Sequence, residues 1–417
     1  MKNLENQNLE NFDRQVFEII QKEQNRQERE INLIASENYA SWAVLQASAS
    51  VLTNKYAEGT PGKRYYAGCR FIDEVEKVAI ERCKNLFDFK DGHANVQPHA
   101  GSQANMAVYF SMLNPGDTIM GMGLAEGGHL THGHKVNFSG QVYKSVQYLV
   151  DKETDLINFD MVEEMAYAHK PKIIIAGATA YSREIDFKKF SEIAKSVGAY
   201  LLADIAHIAG LVATQLHQSP VGCADFITST THKTLRGPRG AFILSKEEYA
   251  KQMDAGVMPG IQGGPLMHVI AAKAVAFKEA GEQSFIAYQT QVIKNAKHFA
   301  KTLESLGYSI VTGGTDNHMF VVDLRSKNVT GRQTEVALEK AGITTSRSCI
   351  PYDPQKPWIT SGVRIGTPAI TTRGMKEPEV EIIAQLFDEV VQKCESEPCL
   401  LKIKDKAHSL CAKFPIY

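Results

Sequence analysis

A lysine follows a run of small hydroxyl residues in the stretch TSTTHKTLRGPRGAFILS, residues 228–245. The run ends in His232 and Lys233, two arginines follow between glycines, and an apolar segment comes next. An amine that is buried with Arg236 and Arg239 nearby has a lowered pKa, and an amine must be neutral to attack an aldehyde. The stretch therefore predicts an amine nucleophile, Lys233, at the end of a buried strand.

Two more polar groups stand where predicted strands end. Asp204 closes the segment AYLLAD, with His207 three residues on. The string HAGSQAN (99–105) places Gly101 and Ser102 before a helical pattern. Ligands of an open parallel sheet bind at the carboxyl ends of its strands, and a helix N-terminus offers free N–H groups to a phosphate. We therefore expect these residues to face the same ligand as Lys233.

These residue types match what pyridoxal phosphate requires of a protein. A lysine would form the Schiff base, and an acid would keep the pyridine nitrogen protonated. A glycine-containing turn would take the phosphate, helped by the hydroxyl groups of residues 228–231. The alternative is a structural ion pair between Asp204 and Lys233. The residues alone favour the cofactor but leave the ion pair open.

The elements that must position these groups alternate between strand and helix. Short apolar runs are typical of strands covered on both faces, and an amphipathic helix with a glycine stop separates two of them. The segments with this pattern are KIIIAG (172–177), DFKKFSEIAKSVG (186–198), AYLLADIAH (199–207), ADFITSTTHK (224–233) and GAFILS (240–245). They predict an α/β domain with a largely parallel sheet.

Other segments indicate the domain organisation. Residues 13–30 have a helical pattern with Val16, Ile19 and Ile20 on one stripe. After Pro265 a long helical pattern leads to candidate strands YSIVTG and MFVVDL and two final helices. We expect residues 1–30 to form an N-terminal helical arm, 31–280 a large cofactor-binding α/β domain, and 281–417 a small C-terminal α+β domain.

Composition restricts the partners. A chain of 417 residues is too long for one compact core, and a formal net charge of -1 gives no electrostatic case for nucleic acid or an anionic membrane. No apolar run approaches the length that spans a bilayer. The polar N-terminus has no signal or transit character, and seven scattered cysteines lack a Cys-x-x-Cys pair. These features predict a reducing cytoplasm.

Two apparent motifs are less informative. His129, His132 and His134 in HLTHGH suggest a metal site, but no carboxylate or cysteine completes a recognisable ligand set, so we expect no metal. GMGLAEGG suggests a dinucleotide-binding loop, but Glu126 stands where the third glycine belongs. Neither motif changes the prediction.

The chain resembles the serine hydroxymethyltransferase (glycine hydroxymethyltransferase) family nearly end to end, from LIASENYAS to LCAKFPIY. The matching strings are LTNKYAEGTPGKRYYAGC, VQPHAGSQAN, GGHLTHG, VNFSG, AHIAGLVA, TTHKTLRGPRG, QGGPLMHVIA, GGTDNH and SGVRIGTPA. The resemblance implies a fold-type-I pyridoxal-phosphate transferase, with a large, mostly parallel seven-stranded sheet domain and a smaller C-terminal domain.

The resemblance also implies roles for individual residues. Lys233 would carry pyridoxal 5'-phosphate covalently, Asp204 would pair with the pyridine nitrogen, and His129 would stack on the ring. The other cofactor contacts would come from His207, Gly101, Ser102, Gln103, Thr179, Thr230, Tyr56, Gly263 and Gly264. The substrates would contact Ser36, Arg364, Glu58, Tyr66, Tyr65, Leu124, Gly128, His129, Leu130 and Arg239. Catalysis would involve Lys233, Asp204, Glu58, Tyr66 and His232.

The implied reaction is the reversible transfer of the serine hydroxymethyl group to tetrahydrofolate in one-carbon metabolism. It gives glycine and 5,10-methylenetetrahydrofolate by Cα–Cβ cleavage in an external aldimine, with Glu58 as the acid/base group. Tyr56, Glu58, Tyr65, Tyr66, Gly263 and Gly264 would come from the neighbouring subunit of a homodimer. The expected partners are therefore small-molecule substrates and a second copy of the chain.

Some residues depart from the family pattern and keep alternatives open. Ser348 stands where asparagine is common near the pterin, Glu126 where histidine is frequent, and Trp42 where proline is frequent. The Ser348 change motivates an α-methylserine hydroxymethyltransferase or a folate-independent 3-hydroxy amino acid aldolase as the alternative. A non-catalytic relative is disfavoured because Lys233 and Arg364 occur together with the other implied site residues.

Overall fold

The computed structural model describes residues 8–417. Its helices are α1 Leu9–Phe12, α2 Arg14–Arg29, α3 Trp42–Ser48, α4 Arg70–Leu86, α5 Gly101–Met112, α6 Phe138–Val142, α7 Phe159–His169, α8 Phe187–Val197, α9 Ala209–Ala213, α10 Ala250–Ala255, α11 Met267–Ala280, α12 Gln283–Ser305, α13 Gly331–Lys340, α14 Pro368–Thr372, α15 Glu377–Gln392 and α16 Glu397–Cys411. Its strands are β1 Ile31–Asn32, β2 Gly59–Thr60, β3 Lys63–Arg64, β4 His93–Asn95, β5 Thr118–Met122, β6 Lys144–Tyr148, β7 Ile173–Ala176, β8 Tyr200–Asp204, β9 Phe226–Thr230, β10 Ala241–Ser245, β11 Ser309–Ile310, β12 Met319–Asp323, β13 Ile343–Thr344, β14 Ser346–Ser348 and β15 Gly362–Gly366.

The largest sheet has seven strands in the order β4-β10-β9-β8-β7-β5-β6. The neighbouring pairs from β9 to β6 are parallel, and β10 runs antiparallel to both β9 and β4. The predicted large, mostly parallel sheet is therefore confirmed. The parallel strands end at one edge, where the loops carry the polar residues singled out in the sequence.

Alternate residues of the central strands enter two different hydrophobic clusters. Ile174 and Ala203 belong to one cluster, and Ile173 and Leu202 belong to the other. Side chains alternate across a strand, so each strand that is covered on both faces reads as a continuous apolar run. This is why KIIIAG and AYLLAD were recognisable as strands.

Helix boundaries follow local capping. In α8 the Asp186 side chain accepts a hydrogen bond from the Lys189 N–H, and Gly198 ends the helix with φ of 70°. The N-terminal helical pattern is α2, which begins after its N-cap, Asp13. The predicted strand YSIVTG is shorter than expected, because Thr312 adopts a φ of 66° and turns the chain after β11.

A second sheet of four antiparallel strands, in the order β11-β12-β15-β14, lies in the C-terminal part. Its apolar residues share a cluster with α12, α13, α15 and α16, and with Ile31 and Leu33 near the N-terminus. Residues 31–32 pair in parallel with 343–344. The division at residues 30 and 280 stays a prediction. Over residues 8–417, no helix has both the length and the apolar character of a membrane span.

Candidate active site

A cavity of about 420 Å³ opens at the carboxyl edge of the large sheet. Residues from the ends of β7, β8 and β9 meet there with the start of α5 and with β15 of the small sheet. Its lining consists of Ser36, Glu37, Ala100, Gly101, Ser102, His129, His132, Ala178, Thr179, Asp204, Ala206, His207, Thr230, His232, Lys233, Arg239 and Arg364. Residues far apart in the sequence thus share one cavity, as the strand ends predicted.

Lys233 presents an uncommitted amine to the cavity. Over residues 8–417 its Nζ atom has neither a hydrogen bond nor an ion pair, whereas its carbonyl accepts a hydrogen bond from Asn38 Nδ2 at 3.0 Å. Burial, opposed by Asp204 and assisted by the charges of Arg364 and Arg239, lowers the pKa of Lys233 to about 8. A fraction of this amine is therefore neutral near physiological pH, as a nucleophile requires.

Asp204 is held by partners other than Lys233. Its Oδ2 accepts hydrogen bonds from Asn105 Nδ2 and His132 Nε2, both at 2.9 Å, and its Oδ1 accepts one from the Ala206 N–H at 3.1 Å. Burial alone would raise the pKa of Asp204, but the hydrogen bonds from His132 and Asn105 hold it well below its usual range. The interpretation of Asp204 and Lys233 as a structural ion pair is therefore wrong. The Asp204 carboxylate stays ionised.

His129 and His132 are linked in defined tautomers. The backbone N–H of His129 donates to the ring atom Nδ1 of His132 at 3.2 Å. The ring proton of His132 is therefore on Nε2, which faces Asp204. The Thr131 N–H donates to His129 Nδ1 at 3.2 Å. Burial, with the neighbouring His132, lowers the pKa of His129 to about 4. His129 is therefore an uncharged ring in the cavity wall.

The N-terminus of α5 forms one end of the cavity. Its N-cap is Ala100, which has no side chain to cap the helix, so the N–H groups of Gly101 and Ser102 have no intrahelical partner. A Cβ on Gly101 would lie 2.8 Å from Thr230 Cγ2, so glycine permits this close approach. Gln103, which was expected to contact the cofactor, is not among the lining residues.

The four hydroxyl residues 228–231 do not act together, which corrects the expectation that the run would help to hold a phosphate. Thr228 donates to Asn105 Oδ1 at 2.6 Å, Ser229 to the Thr230 carbonyl, and Thr231 to the Pro238 carbonyl. Alternation along β9 directs neighbouring side chains to opposite faces. Thr230 is the member of the run that borders the cavity.

Arg364, on β15, brings a buried positive charge into the cavity. Its Nη1 donates to the Thr179 carbonyl at 2.7 Å, and its buried Nε has no partner over residues 8–417. Burial lowers the pKa of Arg364 to about 10, so it remains charged at neutral pH. Ser36 lines the same cavity, and the Thr179 hydroxyl is taken up by the carbonyls of Gly127 and Gly128. The unpartnered Nε is suited to an anionic ligand.

Two more histidines border the cavity. His207 Nδ1 lies 3.2 Å from Nε2 of His318, and burial lowers the pKa of both rings below the ordinary range. The buried Nδ1 of His232 has no partner over residues 8–417, and burial together with Arg239 and Lys233 lowers its pKa to about 3. These three imidazoles are therefore neutral.

Glu58, Tyr56 and Tyr66 form a second polar cluster, outside the lining of the first cavity. Tyr56 Oη lies 3.2 Å from Glu58 Oε1, and Tyr66 Oη lies 3.4 Å from Oε2. A Cβ on Gly263 would lie 3.2 Å from Glu58 Oε1, and one on Gly264 would lie 3.1 Å from the Tyr56 ring. Tyr56, Tyr65 and Tyr66 are exposed. This single chain thus keeps two sets of predicted site residues apart.

The expected pterin-contacting residues lie around the segment that leads to His129. Leu124 begins a 3-10 turn over 124–126, and Leu130 is exposed. A Cβ on Gly128 would lie 2.1 Å from the Met122 carbonyl oxygen, so only glycine fits there. Ser348, at the end of β14, donates its hydroxyl to the Cys349 carbonyl at 3.0 Å.

Three residues that support the site were not assigned to it from the sequence. His132 and Asn105 hold Asp204, and His318 holds His207. His132 was considered only as a metal ligand, although its place three residues after His129 on one turn could have suggested a shared role. Asn105 follows Ser102 at helical spacing, which puts both on one face of α5. His318 ends the matching string GGTDNH, but its position relative to the predicted strands gives no comparable signal.

Comparison with known proteins identifies the family. The profile described as serine hydroxymethyltransferase matches residues 9–387. The chain is 58% identical over 409 residues to a protein named serine hydroxymethyltransferase from Nitrosomonas europaea, covering 98% of each chain. The match includes every segment that contributes to the cavity and to the Glu58 cluster. The chain therefore belongs to the serine hydroxymethyltransferase family.

Proposed function

We propose that the protein catalyses the reversible transfer of the hydroxymethyl group of serine to tetrahydrofolate, giving glycine and 5,10-methylenetetrahydrofolate. The observation that carries the proposal is the pairing, in one cavity, of an uncommitted Lys233 amine with an unpartnered Arg364 Nε. An amine for a carbonyl and a guanidinium for a carboxylate are what an amino-acid enzyme with pyridoxal phosphate needs.

The donor set of the cavity fits pyridoxal 5'-phosphate. Lys233 would hold the aldehyde carbon, ionised Asp204 the pyridine nitrogen, and the free N–H groups of Gly101 and Ser102 the phosphate. The neutral ring of His129 is suited to lie against the cofactor without repelling a protonated pyridine. When bound, the cofactor supplies an electron sink for the bond that breaks at Cα.

The side chains of the cavity would orient the substrate. Arg364 would bind the carboxylate of serine through its free Nε, with Ser36 beside it. A guanidinium that binds the carboxylate would restrict rotation of the substrate, so the Cα–Cβ bond would be held in one orientation. His132 and Asn105 keep Asp204 ionised and fixed. These fixed dipoles do not have to reorganise as charge develops.

We propose further that Glu58 moves the proton of the substrate hydroxyl and that it does so in the cavity of a neighbouring subunit. In one chain Glu58, Tyr56 and Tyr66 lie outside the Lys233 cavity and are solvent-accessible. A homodimer that places this cluster over the partner's cavity would bring the two sets together. Such a general acid–base group is typically worth about 10²–10⁴-fold in rate.

Free cysteines support a cytoplasmic location, which we also propose. All seven cysteine thiols are unpaired, although Cys69, Cys83 and Cys411 are buried. Unpaired cysteines are typical of a reducing compartment.

Serine cleavage measured with and without tetrahydrofolate tests the activity. We expect cleavage to be much faster with tetrahydrofolate, with production of the 5,10-methylene derivative. Equal rates in both conditions would contradict the transferase function and favour the folate-independent aldolase. Lys233→Ala is the control for cofactor attachment, because it should abolish the cofactor's visible absorption band.

Mixed dimers test the shared site. Chains with Lys233→Ala and chains with Glu58→Ala are each expected to be nearly inactive alone. A heterodimer of the two has one cavity with an intact Lys233 and an intact Glu58 from the partner, so activity should return. Failure of recovery in isolated heterodimers would contradict the shared site while leaving the transferase activity itself unaffected.

A further inference from the structure

The orientation of the Glu58 carboxylate depends on how the backbone around Glu58 is held. Its side-chain contacts are with the hydroxyl groups of Tyr56 and Tyr66, both exposed. Its own carbonyl accepts a hydrogen bond from the Tyr65 N–H at 3.0 Å, at the entrance of the hairpin formed by β2 and β3. A group that must reach into a neighbouring subunit therefore rests on the rigidity of this hairpin.

Arg64 binds the backbone on both sides of Glu58. Its Nη1 donates to the Ala57 carbonyl at 2.9 Å and to the Gly59 carbonyl at 2.7 Å. The remaining nitrogens donate to acidic side chains, Nε to Asp73 Oδ1 at 2.9 Å and Nη2 to Glu76 Oε2 at 2.5 Å. The planar fork of arginine makes four such bonds at once, which an ammonium group cannot do.

The network is buried and reaches into the sheet domain. The side chains of Arg64 and Glu76 are 4% and 2% exposed, so the ion pair is screened little by solvent. Gln97 Nε2 donates to the Gly59 carbonyl at 2.9 Å and to Glu76 Oε1 at 2.7 Å. Lys273 Nζ in turn binds the carbonyls on both sides of Gln97, at 2.7 and 2.9 Å. The hairpin is thus anchored to buried structure.

Asp73 anchors the turn of the hairpin as well as its base. Its Oδ2 accepts the Gly62 N–H at 2.8 Å, while its Oδ1 accepts Arg64 Nε. Gly59 and Gly62 both have left-handed backbone, with φ of 101° and 81°. A Cβ on Gly59 would lie 2.2 Å from the Lys63 carbonyl oxygen, so this tight conformation requires glycine.

We propose that Arg64 is a positioning residue for the reaction: by holding the carbonyls of Ala57 and Gly59, it fixes where Glu58 stands in the neighbouring subunit's cavity. The inference rests on the proposed function and adds a residue to it. Arg64 does not line the Lys233 cavity, so its effect should fall mainly on the proton-transfer step and much less on cofactor or serine binding.

Arg64→Lys tests the proposal, with Arg373→Lys as the matched control. Arg373 is also a buried arginine whose nitrogens bind backbone carbonyls, those of Gln27, Glu28, Glu30, Cys411 and Phe414. Both variants should lower the melting temperature. Only Arg64→Lys should lower kcat, by about 10–100-fold, because displacing an acid/base group by about 1 Å is enough for such a loss.

The serine KM and the pyridoxal phosphate dissociation constant, measured by absorbance, separate positioning from general loss of structure. In Arg64→Lys both should change much less than kcat, by about threefold at most, because Lys233, Asp204 and Arg364 lie in the cavity and away from the hairpin. A purely structural role would give an unchanged kcat in folded Arg64→Lys protein, or a parallel loss of kcat, serine binding and cofactor binding. Either result would overturn the proposal.

A double variant covers the case in which Arg64→Lys does not fold. Arg64→Met with Glu76→Met replaces the buried ion pair by apolar side chains of similar volume, a change that is often neutral for stability. The carbonyls of Ala57 and Gly59 still lose their hydrogen bonds from Arg64, although Gln97 keeps its bond to Gly59, so kcat should fall as in Arg64→Lys. Normal kcat in this variant would also refute the proposal.

Mixed dimers assign the effect to the correct subunit. A chain with both Arg64→Lys and Lys233→Ala, paired with an unaltered chain, leaves one lysine site that receives Glu58 from the altered hairpin, so its kcat should be low. An Arg64→Lys chain paired with a Lys233→Ala chain leaves one site that receives Glu58 from an intact hairpin, so its kcat should be normal. Equal activity in the two hybrids overturns the inference, whereas an inactive unaltered protein would instead contradict the proposed function.

Discussion

The unpartnered guanidinium of Arg364 predicts opposite effects of one substitution on stability and on substrate binding. Arg364→Met removes a charge that is buried and has one hydrogen-bonded nitrogen, Nη1, which donates to the Thr179 carbonyl. The buried Nε has no partner among residues 8–417. Methionine replaces the aliphatic part of the arginine side chain and has no charge, so the cavity wall formed by that part should be kept.

The magnitude follows from the pKa of Arg364, which burial lowers from 12.5 to about 10. At about 1.4 kcal/mol for each pKa unit, the buried charge costs about 3 kcal/mol of the free energy of unfolding. Because the pKa of a base is lowered, this cost applies below pH 10 and disappears as pH rises above it. Loss of the hydrogen bond to Thr179 destabilises the variant by about 1–2 kcal/mol, which offsets part of the gain from removing the charge. The apoprotein should therefore gain about 1–2 kcal/mol at pH 7.5.

Substrate binding should change in the other direction. Two charge-assisted hydrogen bonds to a carboxylate are worth about 3–6 kcal/mol together, so the serine KM should rise at least about a hundredfold. Serine should also raise the melting temperature of the unaltered holoprotein and not that of the variant, since a ligand stabilises only the state that binds it. Pyridoxal phosphate binding should remain.

The assay is thermal unfolding of the apoprotein and holoprotein, with and without serine, together with steady-state kinetics. Arg364→Lys is the control: it keeps a buried charge, so the apoprotein should gain no stability, yet the serine KM should rise because an ammonium cannot form the fork. An apoprotein with Arg364→Met that melts below the unaltered apoprotein would refute the reasoning about the uncompensated charge.

Three further predictions concern the rest of the site. His132→Phe removes the Nε2 donor to Asp204, so the pyridoxal phosphate dissociation constant at pH 7.5 should rise about 10–100-fold. His132→Gln should give a dissociation constant closer to that of the unaltered protein. An absorbance titration of His132→Phe that shows no change would contradict the role of His132. Because the pKa of Lys233 is lowered to about 8, the rate at which the apoprotein captures pyridoxal phosphate should rise with pH through a midpoint near 8 and then level off. A capture rate, measured by stopped-flow absorbance, whose midpoint lies above about pH 10 would contradict this prediction. In Gly59→Ala the new Cβ would lie 2.2 Å from the Lys63 carbonyl oxygen, so both kcat and the melting temperature should fall. In Gly62→Ala the new Cβ meets open space, so the substitution should cost only about 1 kcal/mol of backbone strain. Equal effects of the two substitutions on kcat would argue against the hairpin's role.

Local sequence was sufficient for four of the seven strands of the large sheet, β7 to β10. The strands around KIIIAG and AYLLAD, the capped helix α8 and the helix that begins at Gly101 all follow from side-chain period and from residues next to one another in the chain. The position of Lys233 and Asp204 at strand ends also follows, because parallel strands carry their ligands at the carboxyl edge. These signals are local, so one sequence contains them in full.

The partners of each charged group were decided by tertiary structure alone. Asp204 could have paired with Lys233 by residue type, but His132 and Asn105, at 72 and 99 residues' separation, occupy its carboxylate and leave the lysine free. The hydroxyl run looked like one phosphate-binding unit, but β9 turns its members to opposite faces. Likewise Arg64 and Gln97, from separate parts of the chain, both donate to the carbonyl of Gly59, the residue next to Glu58. The physical reason is that a hydrogen bond depends on which atoms folding brings within about 3 Å, and periodicity along the chain carries no information about that distance.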